Sequence, residues 1–310
     1  MSMTTDRLAR LRVAWLVLAV SCGPAVRPDG PADEPGGVVR TPPRPPAAAS
    51  GRQIVVGEMC PQAAAGRPAI APLVMRTVTW TDEASEVTSS VERGSVPRFV
   101  VLGVDGAQAG VFDTVGVADV GLPQSVAAGA YVGALPCTTD AGSGQRVEQP
   151  ACKAALAGCG LAIAEISRPD FDLPDTPQFA TGGACLAGDG LAVDIDGDGA
   201  SEVFPLASLL DGGRSPTTEW SAAPTAGAGC TPTFQLYDVR LVLPPEPGKP
   251  VDPKWTVFLD VLGVLDLDGD ARKEIVLALR FPTVRTVVVY TPSGSAQRLE
   301  LAGEGQSFPR

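Results

Sequence analysis

The amino-acid sequence predicts a mainly β fold of short antiparallel strands with little helix, and three observations carry that expectation. Its 310 residues include 35 Gly and 30 Pro, punctuation that favours many strands and turns over long helices. Aromatic residues make up only 5% of a chain that is 45% hydrophobic. Two acidic stretches, DIDGDGASEV from Asp194 and DLDGDARKEI from Asp266, each run directly into apolar, β-branched sequence of the kind that forms strands.

From the N-terminus, Arg7, Arg10 and Arg12 precede the apolar run VAWLVLAV (Val13 to Val20) and then Ser21-Cys22-Gly23, the layout of an export signal. The run is too short for a mature transmembrane helix, which needs about 20 residues. Ala19-Val20-Ser21-Cys22 resembles the lipobox of bacterial lipoproteins, although Ala19 stands where that family prefers Leu. The resemblance implies lipidation of Cys22 and an outer-membrane-directed protein, because Gly23 rather than Asp follows the cysteine. Ordinary cleavage near Cys22 and a soluble secreted protein is the alternative. Residues 22–52 are proline-rich and lack aromatics. They cannot bury enough apolar surface to offset their ordering entropy, and read as a semi-extended tether.

The expected organisation is therefore a signal peptide at 1–21, a lipidated tether at 22–52 and a single mainly β domain at 53–310. The domain is expected to begin near Gln53-Ile54-Val55-Val56, with strands at Leu73 to Trp80 and Arg98 to Val104. DEASEVTSSVERGS between them reads as a polar loop. DGAQAGVFD spaces Asp105 and Asp113 like the first and last acids of the two acidic stretches, with Ala107 and Ala109 at the inner positions; it reads as a metal-less vestige of an earlier repeat or as chance, the more economical explanation. ACKAALAG from Ala151 is the best short helix, and RPDFDLPD, with Asp170, Asp172 and Asp175, reads as a solvated loop. Apart from Cys22 the cysteines are Cys60, Cys137, Cys152, Cys159, Cys185 and Cys230, an even number that reads as three disulfides in an exported chain. Cys137 with Cys152 or Cys159, and Cys185 with Cys230, would close the shortest loops.

The acidic stretches carry the chemistry. Asp194, Asp196, Asp198 and Glu202 occupy positions one, three, five and nine of the first loop, and Asp266, Asp268, Asp270 and Glu274 those of the second. Carboxylates gathered at ~5 Å repel one another by roughly 1 to 3 kcal/mol per pair at surface-like dielectric, and a hard cation removes that penalty. An EF-hand is excluded, because position twelve is Pro205 or Leu277 rather than Glu and strand-like sequence follows. The pattern D-x-D-G-D-x-x-x-E before a β-branched strand resembles the calcium loops of FG-GAP and VCBS repeats, known from β-propellers and bacterial surface proteins. That resemblance implies bound Ca2+, with the carbonyls of Ala200 and Arg272 at position seven as further ligands. It also implies antiparallel blade-like repeats in a partial or irregular propeller-like domain, at about 190–250 and 255–303. The first repeat would use Leu191 to Val193, Val203 to Leu209 and Phe234 to Leu243. The second would use Trp255 to Leu265, EIVLALRF, RTVVVY and QRLEL. Ala271 replaces Gly199 at position six; if that position needs a left-handed backbone, a Cβ costs about 1 to 2 kcal/mol. The second site is thus expected to be the weaker. Acidic turns without metal are the plainer reading of both loops.

Charge and composition narrow the function. The net charge is −11, and removing residues 1–21, which carry three Arg and one Asp, leaves −13. That argues against nucleic acid or an anionic membrane face as a partner. No histidine is present, which excludes Ser-His-Asp and Cys-His nucleophile systems and imidazole zinc sites. The leading expectation is a cell-envelope lipoprotein, attached to the membrane through its lipid, that binds or scaffolds an unidentified surface protein or polysaccharide. An extracytoplasmic carbohydrate-active enzyme using an Asp/Glu pair is the alternative from another class. A structural envelope protein with vestigial metal loops is the third.

Overall fold

The computed structural model describes residues 52–64, 66–136, 138–140, 146–148, 159–166, 179–188, 190–210, 217–219, 221–222, 233–242, 256–281, 284–293 and 298–308. The chain divides into units Met1–Thr41 and Pro42–Arg310, and every described residue lies in the second. The leader, Cys22, the tether up to residue 51, Cys137, Cys152, Cys230, the segment ACKAALAG and the loop RPDFDLPD fall outside the described residues.

The first half is a closed antiparallel barrel. Its elements are β1 (Ile54–Ala64), β2 (Arg67–Arg76), β3 (Trp80–Thr81), α1 (Ala84–Glu92), β4 (Arg98–Leu102), β5 (Gln108–Ala118), β6 (Val126–Gly133), the short hairpin β7 (Thr138–Asp140) and β8 (Arg146–Glu148), and β9 (Gly160–Glu165). The strands run in the order β1-β9-β4-β5-β6-β2, and a β1–β2 pairing closes the ring with β3 appended to β2. Side chains alternate across each strand. Val55, Met59, Ile70, Phe99, Val101, Phe112, Ala127, Ala162 and Ala164 form one cluster fed by all six barrel strands. Helix α1 belongs to the same cluster, because Val87 and Val91, one turn apart, are buried in it. The segment expected to be a polar loop is therefore a helix. Its serines and threonines obscure the two valines that hold it.

Strands β6 (VAAGAYVG) and β9 (GLAIAE) are rich in Gly and Ala, residues with little strand preference. Small side chains are required there: a Cβ on Gly129 would lie 2.0 Å from the Asp113 carbonyl oxygen. The barrel also corrects one disulfide expectation. Cys159 is bonded to Cys60, not to Cys137, across a sequence separation of 99. Met59 pairs with Gly160 in the β1–β9 ladder, so the two cysteines are neighbours in space. Cys185 is also disulfide-bonded.

The second half supplies two sheets. β10 (Ala184–Ala187), β11 (Gly190–Val193), β12 (Glu202–Pro205), the short helix α2 (Leu206–Leu210), β13 (Thr217–Glu219), β14 (Ser221–Ala222), β15 (Leu236–Val242), β16 (Thr256–Leu265), β17 (Glu274–Arg280), β18 (Arg285–Ser293) and β19 (Arg298–Gln306) follow in order. One sheet runs β10-β11-β12-β14 and the other β13-β19-β18-β17-β16-β15, both antiparallel. The expected meander of Trp255 to QRLEL is present as β16 to β19. The expected strand Val203 to Leu209 stops at Pro205 and turns into α2. Phe234 to Leu243 supplies β15, which extends the larger sheet instead of completing the smaller one.

The larger sheet is a middle layer. Leu262, Val276, Ala278, Val287 and Val289 pack on the outside of the barrel, against Ile54, Val56, Val100 and Ile163. Val257, Leu259, Ile275, Leu277, Val288 and Tyr290 pack on Leu191, Val193 and Phe204 of the smaller sheet and on Leu209 of α2. This is why Ile275 to Leu279 in β17 read as a continuous apolar run and the strand is buried at every position. Within the barrel-facing layer lies a charged cluster. Arg285 reaches both Glu58 of β1 (2.6 Å) and Asp260 of β16 (3.0 Å), Arg280 pairs with Asp260 (2.7 Å), and Ser307 donates to Glu58. All five residues are buried.

Candidate metal centre

The two acidic loops occupy equivalent corners, one between β11 and β12 and the other between β16 and β17. In each, one carboxylate oxygen from positions one, three and nine converges with the others: Asp194, Asp196 and Glu202 in the first, and Asp266, Asp268 and Glu274 in the second. All three oxygens of a set lie within 4.8 Å of one another. Either set could hold a metal ion.

The loops share four hydrogen bonds, and the second adds one from Ala271 N to Asp266 Oδ2 (3.1 Å). Gly197 N donates to Asp194 Oδ1 (2.8 Å), Asp198 N to Asp196 Oδ1 (3.2 Å), Ala200 N to Asp198 Oδ1 (2.7 Å) and Ile195 N to Glu202 Oε2 (2.9 Å). The second loop repeats each contact: Gly269 N to Asp266 Oδ1 (2.6 Å), Asp270 N to Asp268 Oδ1 (3.0 Å), Arg272 N to Asp270 Oδ1 (2.7 Å) and Leu267 N to Glu274 Oε2 (2.8 Å). Each Asp thus turns the backbone two or three residues onward, as short acidic side chains do. The Glu on the first residue of β12 or β17 reaches back over the loop mouth. Asp198 and Asp270, expected as ligands, are not in the converged sets. They hold the N–H of position seven, occupied by Ala200 and Arg272.

Sequence reasoning missed the role of position two. Ile195 is fully buried among the residues shared by the two sheets, and Leu267 among those shared with the barrel. Each pins its loop to a core, and the signal was visible as a lone aliphatic between two acids. Position six does need a left-handed backbone: Gly199 has φ 86° and Ala271 φ 71°, the latter being the positive-φ non-glycine among the described residues. Strain at the second loop follows as expected.

Burial makes Glu202, Asp268 and Glu274 poor hosts for their own charge. Desolvation pushes Glu202 up to about 7, opposed by the Ile195 N–H and reinforced by Asp196. Burial also raises Asp268, with Asp270 adding to the rise and Arg76 countering it. Glu274, 1% exposed, is raised well above the ordinary carboxyl value by burial and then by Asp268, although Thr291 Oγ1 donates to it at 3.1 Å. A proton or a cation relieves this crowding. The donors are carboxylate oxygens alone, which is the chemistry of a hard cation. The 4.8 Å limit on their spread falls within the roughly 5 Å that separates oxygens on opposite sides of a calcium ion.

Comparison with protein-family models, with curated proteins and with solved structures gave no match.

Proposed function

We propose that this chain is an exported cell-envelope lipoprotein whose β domain binds calcium at two FG-GAP/VCBS-type loops and serves as a binding or scaffolding module at the cell surface. The observation that carries the reading is the convergence of three carboxylates in each of two loops with the same internal hydrogen bonds. Such sets are costly without a counter-charge, and repetition of the geometry 72 residues apart, from Asp194 to Asp266, favours a common purpose. The Cys60–Cys159 disulfide fits an oxidising compartment outside the cytoplasm. The leader, Cys22 and the proline-rich tether support anchoring to the outer membrane by lipid. In this reading β10-β11-β12-β14 and β16 to β19 are two blade-like units with a calcium loop at the same corner of each, packed face to face.

Calcium is favoured over magnesium because three protein carboxylates in one loop suit an ion that accepts many oxygen ligands in loose geometry. At millimolar extracellular calcium and site affinities of ~0.1 to 1 mM, each site contributes about 0.4 to 1.4 kcal/mol of stability. Thermal melts of the oxidised domain in calcium and in EGTA test this part, with a higher melting temperature expected in calcium. No shift would overturn it. Mass spectrometry of the native N-terminus tests the anchor, which predicts an acylated Cys22.

A further inference from the structure

Two basic side chains reach the acidic loops from outside the carboxylate sets. Lys273 belongs to the second loop, one residue before Glu274, yet it serves the first. Its ammonium donates to the Asp194 carbonyl at 2.7 Å and stands 3.9 Å from Asp194 Oδ2, and its main-chain N–H donates to the Ile195 carbonyl at 2.9 Å. The side chain is 12% exposed. Arg76 comes from β2 of the barrel. Its Nη2 lies 3.1 Å from Asp268 Oδ2, with 10% of the arginine side chain and 9% of the aspartate exposed, and its Nη1 donates to the Arg52 carbonyl.

Resting on the calcium reading above, we propose that Lys273 and Arg76 are affinity-determining residues, tethered cations that compete with the ion at the first and second loops respectively. A divalent ion among Asp194, Asp196 and Glu202 meets a positive charge already lodged on Asp194. Water screens that charge poorly, because the ammonium is largely enclosed. Lys273 cannot simply swing away with its segment, since its own N–H is fixed to Ile195. At the second loop the guanidinium holds one oxygen of Asp268 directly. Both sites are therefore weaker than their carboxylate count implies. The first site also answers to the second loop, which supplies its competitor.

The alternative is that these side chains are struts, whose loss loosens the loops and weakens binding. Opposite signs separate the two ideas. Calcium titration of the full folded domain by calorimetry, with terbium luminescence as a second readout, compares the parent with Lys273→Met, Lys273→Arg and Arg76→Met. Lys273→Met is expected to tighten one site about tenfold, the effect of removing one nearby charge, and to leave the other within about twofold. Lys273→Arg stays near the parent. Arg76→Met tightens the other site. In an Asp196→Asn background, which silences the first loop, Lys273→Met has no effect. Near-UV circular dichroism in EGTA confirms folding, and Lys273→Gln replaces the Met variant if it folds poorly. Unchanged or weaker binding by Lys273→Met, in a parent that binds two ions, overturns this proposal and leaves the calcium reading standing. No binding by the parent or by any variant overturns both. Binding that appears only when Lys273 or Arg76 is neutralised supports the competition directly.

Discussion

Replacing Glu202 by Gln should stabilise the ion-free protein and at the same time abolish the first loop's response to calcium. Gln keeps the side-chain shape and an oxygen to accept the Ile195 N–H, which Glu202 holds at 2.9 Å. What it removes is a charge that the buried site resists. Moving a carboxyl from 4.5 to about 7 on folding corresponds to about 3 kcal/mol of destabilisation when the group is ionised in both states. The sign follows from the direction of the shift. Because the folded value lies above the unfolded one, the penalty is absent below about pH 4.5, grows as pH rises and is complete above about pH 7. Urea unfolding in EGTA at about pH 8 should therefore place Glu202→Gln about 2 to 3 kcal/mol above the parent, with the two converging at about pH 4. Adding calcium reverses the order in part, since the parent gains from both loops and the variant from the second alone. A variant no more stable than the parent in EGTA at the higher pH would refute the desolvation argument. A variant that keeps the parent's full calcium increment would refute the assignment of Glu202 as a ligand.

Ala271→Gly should stabilise the protein by about 0.5 to 1 kcal/mol in urea unfolding, relief of the left-handed strain being partly offset by the added freedom of the unfolded chain. The mirror change Gly199→Ala should destabilise by a similar amount, because a Cβ there meets nothing within 4 Å and only the backbone conformation at φ 86° resists it. Replacing Cys60 and Cys159 together by Ser opens a loop of 99 residues and should cost about 2 to 5 kcal/mol, read as a lower urea midpoint against the oxidised parent. Val87→Ala removes a fully buried contact between α1 and the barrel interior. It should cost about 1 to 2 kcal/mol in the same assay.

The loops were legible because everything that shapes them is local. Asp spacing, the glycine at position four and the Glu at position nine act within nine residues, and the hydrogen bonds obey that order. The meander β16 to β19 was legible for a related reason, as its strands are β-branched and its turns short. The barrel was hidden because the sequence signals of β6 and β9 are weak. VAAGAYVG and GLAIAE hold the small residues that crowded strands require, and alanine and glycine carry little strand preference. Loop length misled the cysteine expectation, since spatial neighbourhood in the β1–β9 ladder decides pairing. Arg76 and Lys273 could not be found by pattern at all. Lys273 meets a residue 79 positions away, and only the packing of one corner against another brings them together.

The charged cluster between barrel and middle sheet has a consequence for assembly. Glu58 stands on the first barrel strand, whereas Arg285, which pairs with it at 2.6 Å, belongs to the middle sheet, 227 residues later in the chain. Before the sheet docks, Glu58 faces water on the outer wall of the barrel, and docking removes that water. The sheet can therefore seat only in the register that delivers Arg285 to it, because an enclosed carboxylate without its arginine is strongly unfavourable. The pair acts as a keyed fit, refusing placements that slide sheet past barrel.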